Sequence, residues 1–385
     1  MIEKAFYGSK KYWIWILFLL AFLGLCFHFY LMQLNQGLTI TGMSRNVSWG
    51  LYIAQFTYLV GVAASAVMLV IPYYLHHYKA FSRMIILGEF MAIAAVTMCM
   101  LFIFVDLGQP MRVMNVILHP QLHSVMFWDM TVLSGYLVLN LLIGWTTLES
   151  ERKNVAPPSW VKPLIYLSVV WAISIHTVTA FLYAGLPGRP YWLSAIMAAR
   201  FLAGAFCAGP AILLLLVFLV QKFVKYRVGE ESIQTLSKIV TYAMSANVFF
   251  LLLEIFTAFY SRIPEDMNAF RYLFVGLDGH TTLVPYMWVS AGLAIVSLAI
   301  LIPPQLRNNT KLLTVALIAL VISTWIDKGF SLIAAGFVPN PFDRVTEYLP
   351  TFPEIMIVLG VYTIGILILT ILWKVAISVK EKTTA

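Results

Sequence analysis

Residues 84–110 read MIILGEFMAIAAVTMCMLFIFVDLGQP. Positions 84–105 carry a single charge, Glu89, and the run closes on Asp106. A helix at the surface of a soluble protein keeps one polar face. This segment has none, so it needs an apolar solvent all round, and about 20 such residues cross a bilayer. Nine further runs are of the same kind: 13–35, 51–76, 126–147, 161–184, 192–221, 236–260, 283–303, 311–336 and 355–378.

Composition agrees. The chain has 385 residues, 61 % of them hydrophobic and 11 % charged, with a mean hydropathy of +0.87. Surface-to-volume scaling leaves no way to bury that much apolar surface in one soluble core. The runs are long and continuous rather than short and alternating, which selects helices over a barrel. The expected fold is an all-α polytopic membrane protein of about ten transmembrane helices, with residues 1–385 forming one integral membrane domain. The first run follows Lys4, Lys10 and Lys11 as a signal peptide would. It is too long for one and lacks a small-residue cleavage site, so it is expected to stay as a span.

Lys and Arg fall unevenly on the two sides of the predicted spans. Seventeen lie on the side of the termini and eight on the other, which together make the 25 of the chain. The positive-inside rule then predicts an inner-membrane protein with both termini cytoplasmic. The net charge of +8 is thus a topology signal and points to no nucleic-acid partner. The three cysteines, Cys26, Cys99 and Cys207, sit singly in different spans. An iron–sulfur cluster needs four closely placed ligands, so none is expected in this chain, and no metal site is expected either. No G-x-x-x-x-G-K-[ST], H-E-x-x-H or G-x-S-x-G occurs.

A weak repeat is visible. WGLYIAQFTYLVG (49–61) aligns without gaps with WLSAIMAARFLAG (192–204), and DLG…SVMFW before the fourth span is echoed by LDG…VPYMW before the eighth. Both copies run in the same direction, which predicts a parallel duplication. The expected organisation is a four-helix bundle over 51–184, a second over 192–336, and flanking spans at 13–35 and 355–378.

Ionisable residues within spans are rare and usually face the bundle interior. At about 1.5 Å per residue, Asp106, Asp129, Arg200 and Glu254 fall near the outer boundary, with Gln55 slightly within it. His28, His176, Asp327 and Lys328 fall in the outer third. Only Glu89 lies clearly on the cytoplasmic half. The expectation is a polar niche beneath the outer headgroups, with Glu89, Glu254, Asp327 and Lys328 as candidates for a proton path.

Several motifs then resemble a known family. These are W-G-x-Y-x-x-x-x-x-Y-L-x-G (49–61), DLGQPMR (106–112), SVMFW (124–128) and SIHTVTAFLYA followed by PGRPYW (174–192). Together they resemble the NrfD/PsrC-like membrane subunits of respiratory complexes, over essentially the whole chain. Ten spans and HPQLHSVMFWD (119–129) resemble most the DsrP branch, found in the sulfite-reduction-associated DsrMKJOP complexes. The resemblance implies a subunit without haem or iron–sulfur cluster that exchanges electrons between menaquinone, or another quinone, and an extracytoplasmic ferredoxin-like iron–sulfur subunit. Such complexes also hold other membrane and haem-bearing subunits. The resemblance places the quinone site in the 51–184 bundle, at Tyr52, Gln55, Asp106, Arg112, Asp129 and His176. Quinone chemistry then gives the expected catalytic roles: His176 bonds a ring oxygen, Asp106 or Asp129 takes up or releases the proton, and Arg112 holds a carboxylate ionised. Two positions depart from the family pattern: Gln109 replaces a basic residue, and Leu193 stands where related sequences often have His. Two other classes fit the spans alone. His28 and His176 share a depth that would suit a haem-b cytochrome, and ten spans with a repeat would suit a secondary transporter.

Overall fold

The computed structural model describes residues 2–186 and 188–383. Pro187, part of the PGRPYW stretch, and the ends of the predicted domain at 1, 384 and 385 lie outside the described residues. Among the described residues, ten helices are long and apolar enough to cross a membrane: α1 Lys10–Ile40, α2 Leu51–Leu75, α3 Ile85–Asp106, α4 Val125–Lys153, α5 Val161–Ala184, α6 Met197–Phe223, α7 Glu230–Ser261, α8 Val284–Leu301, α9 Thr310–Ala335 and α10 Phe352–Glu381. The described residues contain no strand, only one isolated bridge between Leu277 and His280. The chain is a polytopic membrane protein, as its apolar runs predict.

Local chemistry sets the ends. Ser9 caps α1 by accepting from the Tyr12 amide at 3.3 Å, and Asn309 caps α9 by accepting from the amides of Lys311 and Leu312. Caps of this kind contribute about 1 kcal/mol each. Asn154 and Arg262 close α4 and α7 in the left-handed conformation. The longest helix outside the predicted spans is Pro264–Phe274, started by Pro264 with Glu265 and Asp266 in its first turn. It packs against α7 and α8, and its Phe270 meets Tyr191 edge-on at 5.3 Å.

Two rings of neighbours emerge. Helix α2 packs on α3, α3 on α4, α4 on α5, and α5 back on α2; α6 packs on α7, α7 on α8, α8 on α9, and α9 back on α6. Helix α1 packs on α10, and α10 on α3. Contacts of α2 with α6 and α9 join the two rings, so α2 is the centre of the assembly. Its most apolar window is 89 % buried and that of α3 83 %, against 17 % for α1.

Small residues allow the close approach, as expected where lipid gives no hydrophobic drive between helices. A Cβ on Gly61 would stand 3.4 Å from the Ala205 Cα, and one on Gly209 would collide with Ser65. Trp49 and Trp192, which open the two copies of the repeat, meet with ring centroids 5.6 Å apart.

The first and last described helices begin and end on one side, where the Lys4 ammonium donates to the Ser378 carbonyl at 3.0 Å. This is the basic end, and the long connections gather at the opposite, loop end. The outward face of α7 exposes Tyr242, Phe249, Leu252, Phe256 and Tyr260, a stripe suited to hydrocarbon.

Candidate functional site

Polar side chains inside the helices form three groups at or toward the loop end and one toward the basic end. The first joins α1, α2, α3 and α10. The Tyr52 hydroxyl donates to Gln33 Oε1 at 2.7 Å, and Gln33 Nε2 donates to the Val105 carbonyl at 2.6 Å. That second bond fixes Gln33 against the last turn of α3, beside Asp106. Asp106 and the Tyr30 hydroxyl both lie within electrostatic reach of Tyr52. Asp106 Oδ1 and the Tyr30 hydroxyl are buried without a hydrogen-bond partner among the described residues. Unpaired buried polar atoms are costly, so two in one cluster make it a candidate for ligand contact.

Beneath that cluster, Glu354 clamps the loop end. It is fully buried, accepts from the Leu51 and Gly42 amides at 3.0 Å each, and accepts from the Tyr348 hydroxyl. The Leu51 amide also donates to the Tyr348 oxygen at 2.6 Å. Burial first, and then the neighbouring Glu354 carboxylate, push the Tyr348 hydroxyl well above the usual phenol range, so Tyr348 stays protonated as the donor.

The second group lies on one face of α5, which carries His176, Thr179 and Tyr183. Thr179 Oγ1 donates to Asp129 Oδ1 at 2.6 Å, which ties α5 to α4. The Tyr183 hydroxyl shares a hydrogen bond with Thr57 of α2 and stands within electrostatic reach of both Asp129 and Asp106. His176 is buried, with neither ring nitrogen hydrogen-bonded among the described residues. It lines a cavity of about 20 Å³ together with Thr57, Tyr58, Gly61, Gly204 and Lys328. A volume of that size admits about one water.

The third group is ionic. Arg200 of α6 pairs with Glu254 of α7 and, at 2.6 Å, with Asp327 of α9. Ser194 donates to Glu254 at 3.0 Å, and Lys328 donates to the Arg200 carbonyl. Asp327 and Lys328 lie in a π-helical segment, Ile326–Ser331, a wider turn common at functional sites. Gly204 makes room for Lys328, since a Cβ there would overlap its side chain.

The predicted residues therefore divide. Tyr52 and Asp106 stand together in the first group. Gln55 faces away from it, accepting from Trp325 at 2.8 Å and from Tyr362 at 2.6 Å. Asp129 and His176 belong to the second group, behind Tyr183, so Asp106 and His176 do not share one cavity. Arg112 is exposed on the connection after α3 and forms no ion pair with Asp106. Glu254, Asp327 and Lys328 meet one another around Arg200, whereas Glu89 lies apart in α3. His28 is exposed on α1 while His176 is buried, so the two are not placed as a ligand pair. Sequence reasoning passed over Tyr30, Gln33, Tyr348 and Glu354. A glutamine three residues from a tyrosine inside an apolar run was the signal available for α1.

A bound quinone can be tested against these groups. The His176 cavity is too small for a ring, since small-molecule pockets run to roughly 300 Å³ or more. The Tyr30–Tyr52–Asp106 cluster offers one uncommitted hydroxyl donor, Tyr30, with the Tyr52 oxygen and an unpaired carboxylate oxygen as acceptors, and these residues fit the polar edge of a quinone.

Residues 39–339 match the family model described as "Polysulphide reductase, NrfD". A protein of Halobacterium salinarum named as a putative membrane subunit of dimethyl sulfoxide reductase is 27 % identical, over 92 % of this chain and 88 % of its own length. The Hdr-like menaquinol oxidoreductase integral membrane subunit of Archaeoglobus fulgidus is 24 % identical, over 89 % and 83 %. The menaquinone reductase integral membrane subunit of Nitratidesulfovibrio vulgaris is 23 % identical, over 90 % and 86 %. The family model spans well over half of the sequence and takes in α2 to α9 with the connections between them, and on that ground the chain belongs to the NrfD family.

Proposed function

We propose that the chain is the quinone-interacting integral membrane subunit of a respiratory complex. It exchanges electrons between menaquinone or menaquinol and an extracytoplasmic ferredoxin-like iron–sulfur subunit. Relatives named for menaquinone and menaquinol support the quinone. The excess of Lys and Arg at the end of the termini supports a cytoplasmic basic end and an outward loop end. On the HPQLHSVMFWD stretch we assign the chain to the DsrP branch, and hence to sulfite metabolism and a complex with haem-bearing subunits. The alignment of Trp49 and Gly61 with Trp192 and Gly204 supports a parallel duplication of α2–α5 as α6–α9.

One observation carries the reading: Asp106 Oδ1 is buried and unpaired beside Tyr52 at the loop end. A quinone bound there supplies two-electron, two-proton chemistry. Tyr30 donates to a ring oxygen, and the Tyr52 oxygen, whose own proton is held by Gln33, accepts from a quinol hydroxyl. Asp106 Oδ1 accepts or returns the proton, a role worth about 10²–10⁴ in rate. Tyr183, between Asp106 and the Asp129–Thr179 pair, passes the second proton. Arg112, on the exposed connection, faces the partner protein.

The test is Asp106→Asn in the intact complex. Quinol turnover should fall about a hundredfold while the complex keeps all its subunits. Unchanged turnover would remove Asp106 from the site.

A further inference from the structure

Glu89 lies one turn into α3 from the basic end and is buried, and neither of its carboxylate oxygens has a hydrogen-bond partner among the described residues. The other two buried acids among the proton-path candidates are different, because Glu254 and Asp327 are both held by Arg200. An intramembrane carboxyl without a pairing cation marks a proton relay more readily than a structural tie. Its surroundings are also built. Tyr73 and Tyr74 face it from a π-helical segment of α2, Ile71–Leu75, and Tyr136 faces it from α4. On the surface side stand Glu151 of α4 and Lys380 of α10, joined at 2.7 Å, with Glu151 31 % exposed. A Cβ on Gly144 would come within 3.4 Å of Glu89 Oε2, so the carboxyl lies against α4.

Toward the loop end, the buried face of α4 continues through Asn140 and Tyr136 to Asp129. Tyr136 and Asp129 stand seven positions apart, roughly 10 Å along the helix, a distance that a proton route would need two or three waters to span.

We propose that Glu89 loads protons from the basic end into a route up the α2–α5 ring that ends at Asp129, Thr179 and Tyr183. The proposal rests on the quinone reading above. In the reducing direction, two electrons from the iron–sulfur partner and two protons through Glu89 convert one quinone to one quinol. In the oxidising direction the two protons leave by the same residues while two electrons pass to the partner. Because the electrons cross from the loop end and the protons from the basic end, turnover moves charge across the membrane.

The test uses the intact complex in proteoliposomes with a pH-sensitive dye in the basic-end compartment and a short-chain menaquinone as substrate. The wild type should exchange protons with that compartment in step with quinone turnover. Glu89→Gln should slow that exchange at least tenfold, and Glu89→Asp should restore part of it. Tyr74→Phe, which keeps the packing, should also slow it, and decides the matter should Glu89→Gln not assemble. Turnover with unchanged basic-end exchange in Glu89→Gln, or in Tyr74→Phe alone where Glu89→Gln does not assemble, overturns the route and leaves the quinone reading intact. Absence of quinone turnover in the wild type overturns both.

Discussion

Replacing Glu254 by Gln removes one negative charge from a buried set that is otherwise balanced, Arg200 and Lys328 against Glu254 and Asp327. All four are at most 9 % exposed. Breaking a buried pair by neutralising one partner costs about 3–5 kcal/mol. Arg200 keeps Asp327 in this variant, so the low end, about 3 kcal/mol, applies. Unfolding entropy scales at about 2.1 cal/mol/K per residue, which for 385 residues gives roughly 0.8 kcal/mol/K and a fall in Tm of about 4 °C. Helices persist in detergent, so the true unfolding entropy is smaller and the fall is at least that large. The assay is built into the chain, because Cys26, Cys99 and Cys207 are free and buried. A thiol-reactive fluorophore in a temperature ramp therefore reads loss of packing. The double variant Glu254→Met/Arg200→Met should cost less than the sum of its two single variants by about 3 kcal/mol, the signature of a coupled pair. Additive costs, or a Glu254→Gln variant as stable as the wild type, would refute the electrostatic reasoning.

Gly204→Val should destabilise the α6–α9 contact, since a Cβ at 204 overlaps Lys328; a lowered Tm in the same ramp checks it. Glu354→Ala removes the acceptor of the Gly42 amide, whereas the Leu51 amide keeps the Tyr348 oxygen. A hydrogen bond to a charged group is worth about 1.5–3 kcal/mol, so hydrogen exchange at Gly42 should accelerate at least tenfold, and at Leu51 by less. In the loops, partial burial pushes the Glu347 carboxyl upward, but the Thr282 contacts and His280 outweigh it and hold it below the usual range. A depressed carboxyl adds stability above its unfolded pKa and loses it as pH falls through the folded one. Protection of the Thr282 amide, which donates to Glu347 at 3.0 Å, should therefore be lost only below the ordinary glutamate range, and Glu347→Gln should abolish that loss.

The ten spans were legible because a bilayer requires continuous apolar length, a property that each segment carries by itself. Which helices touch was less so, since lipid-facing and protein-facing positions are both apolar; the central place of α2 rests on Gly61, Ser65 and their partners on α6. The ionic quartet illustrates the limit. Arg200, Glu254, Asp327 and Lys328 were each visible as anomalies in apolar runs, but their meeting depends on the packing of three helices. Gln33 and Tyr30 were passed over because α1 reads as a peripheral span, and only its packing on α10, with Gln33 reaching α3, brings them beside Tyr52 and Asp106. Arg112 next to Asp106 in sequence suggested a pair, yet the chain leaves the helix between them and the guanidinium turns outward.

The quinone assignment is tested most directly by photolabelling the purified complex with an azidonaphthoquinone and mapping the adducts by mass spectrometry. Labels should fall on the loop-end turns of α1, α2 and α3, around Tyr30, Tyr52 and Asp106, and should vanish when excess menaquinone is present. Adducts confined to α6–α9, or adducts that menaquinone does not displace, would contradict the account.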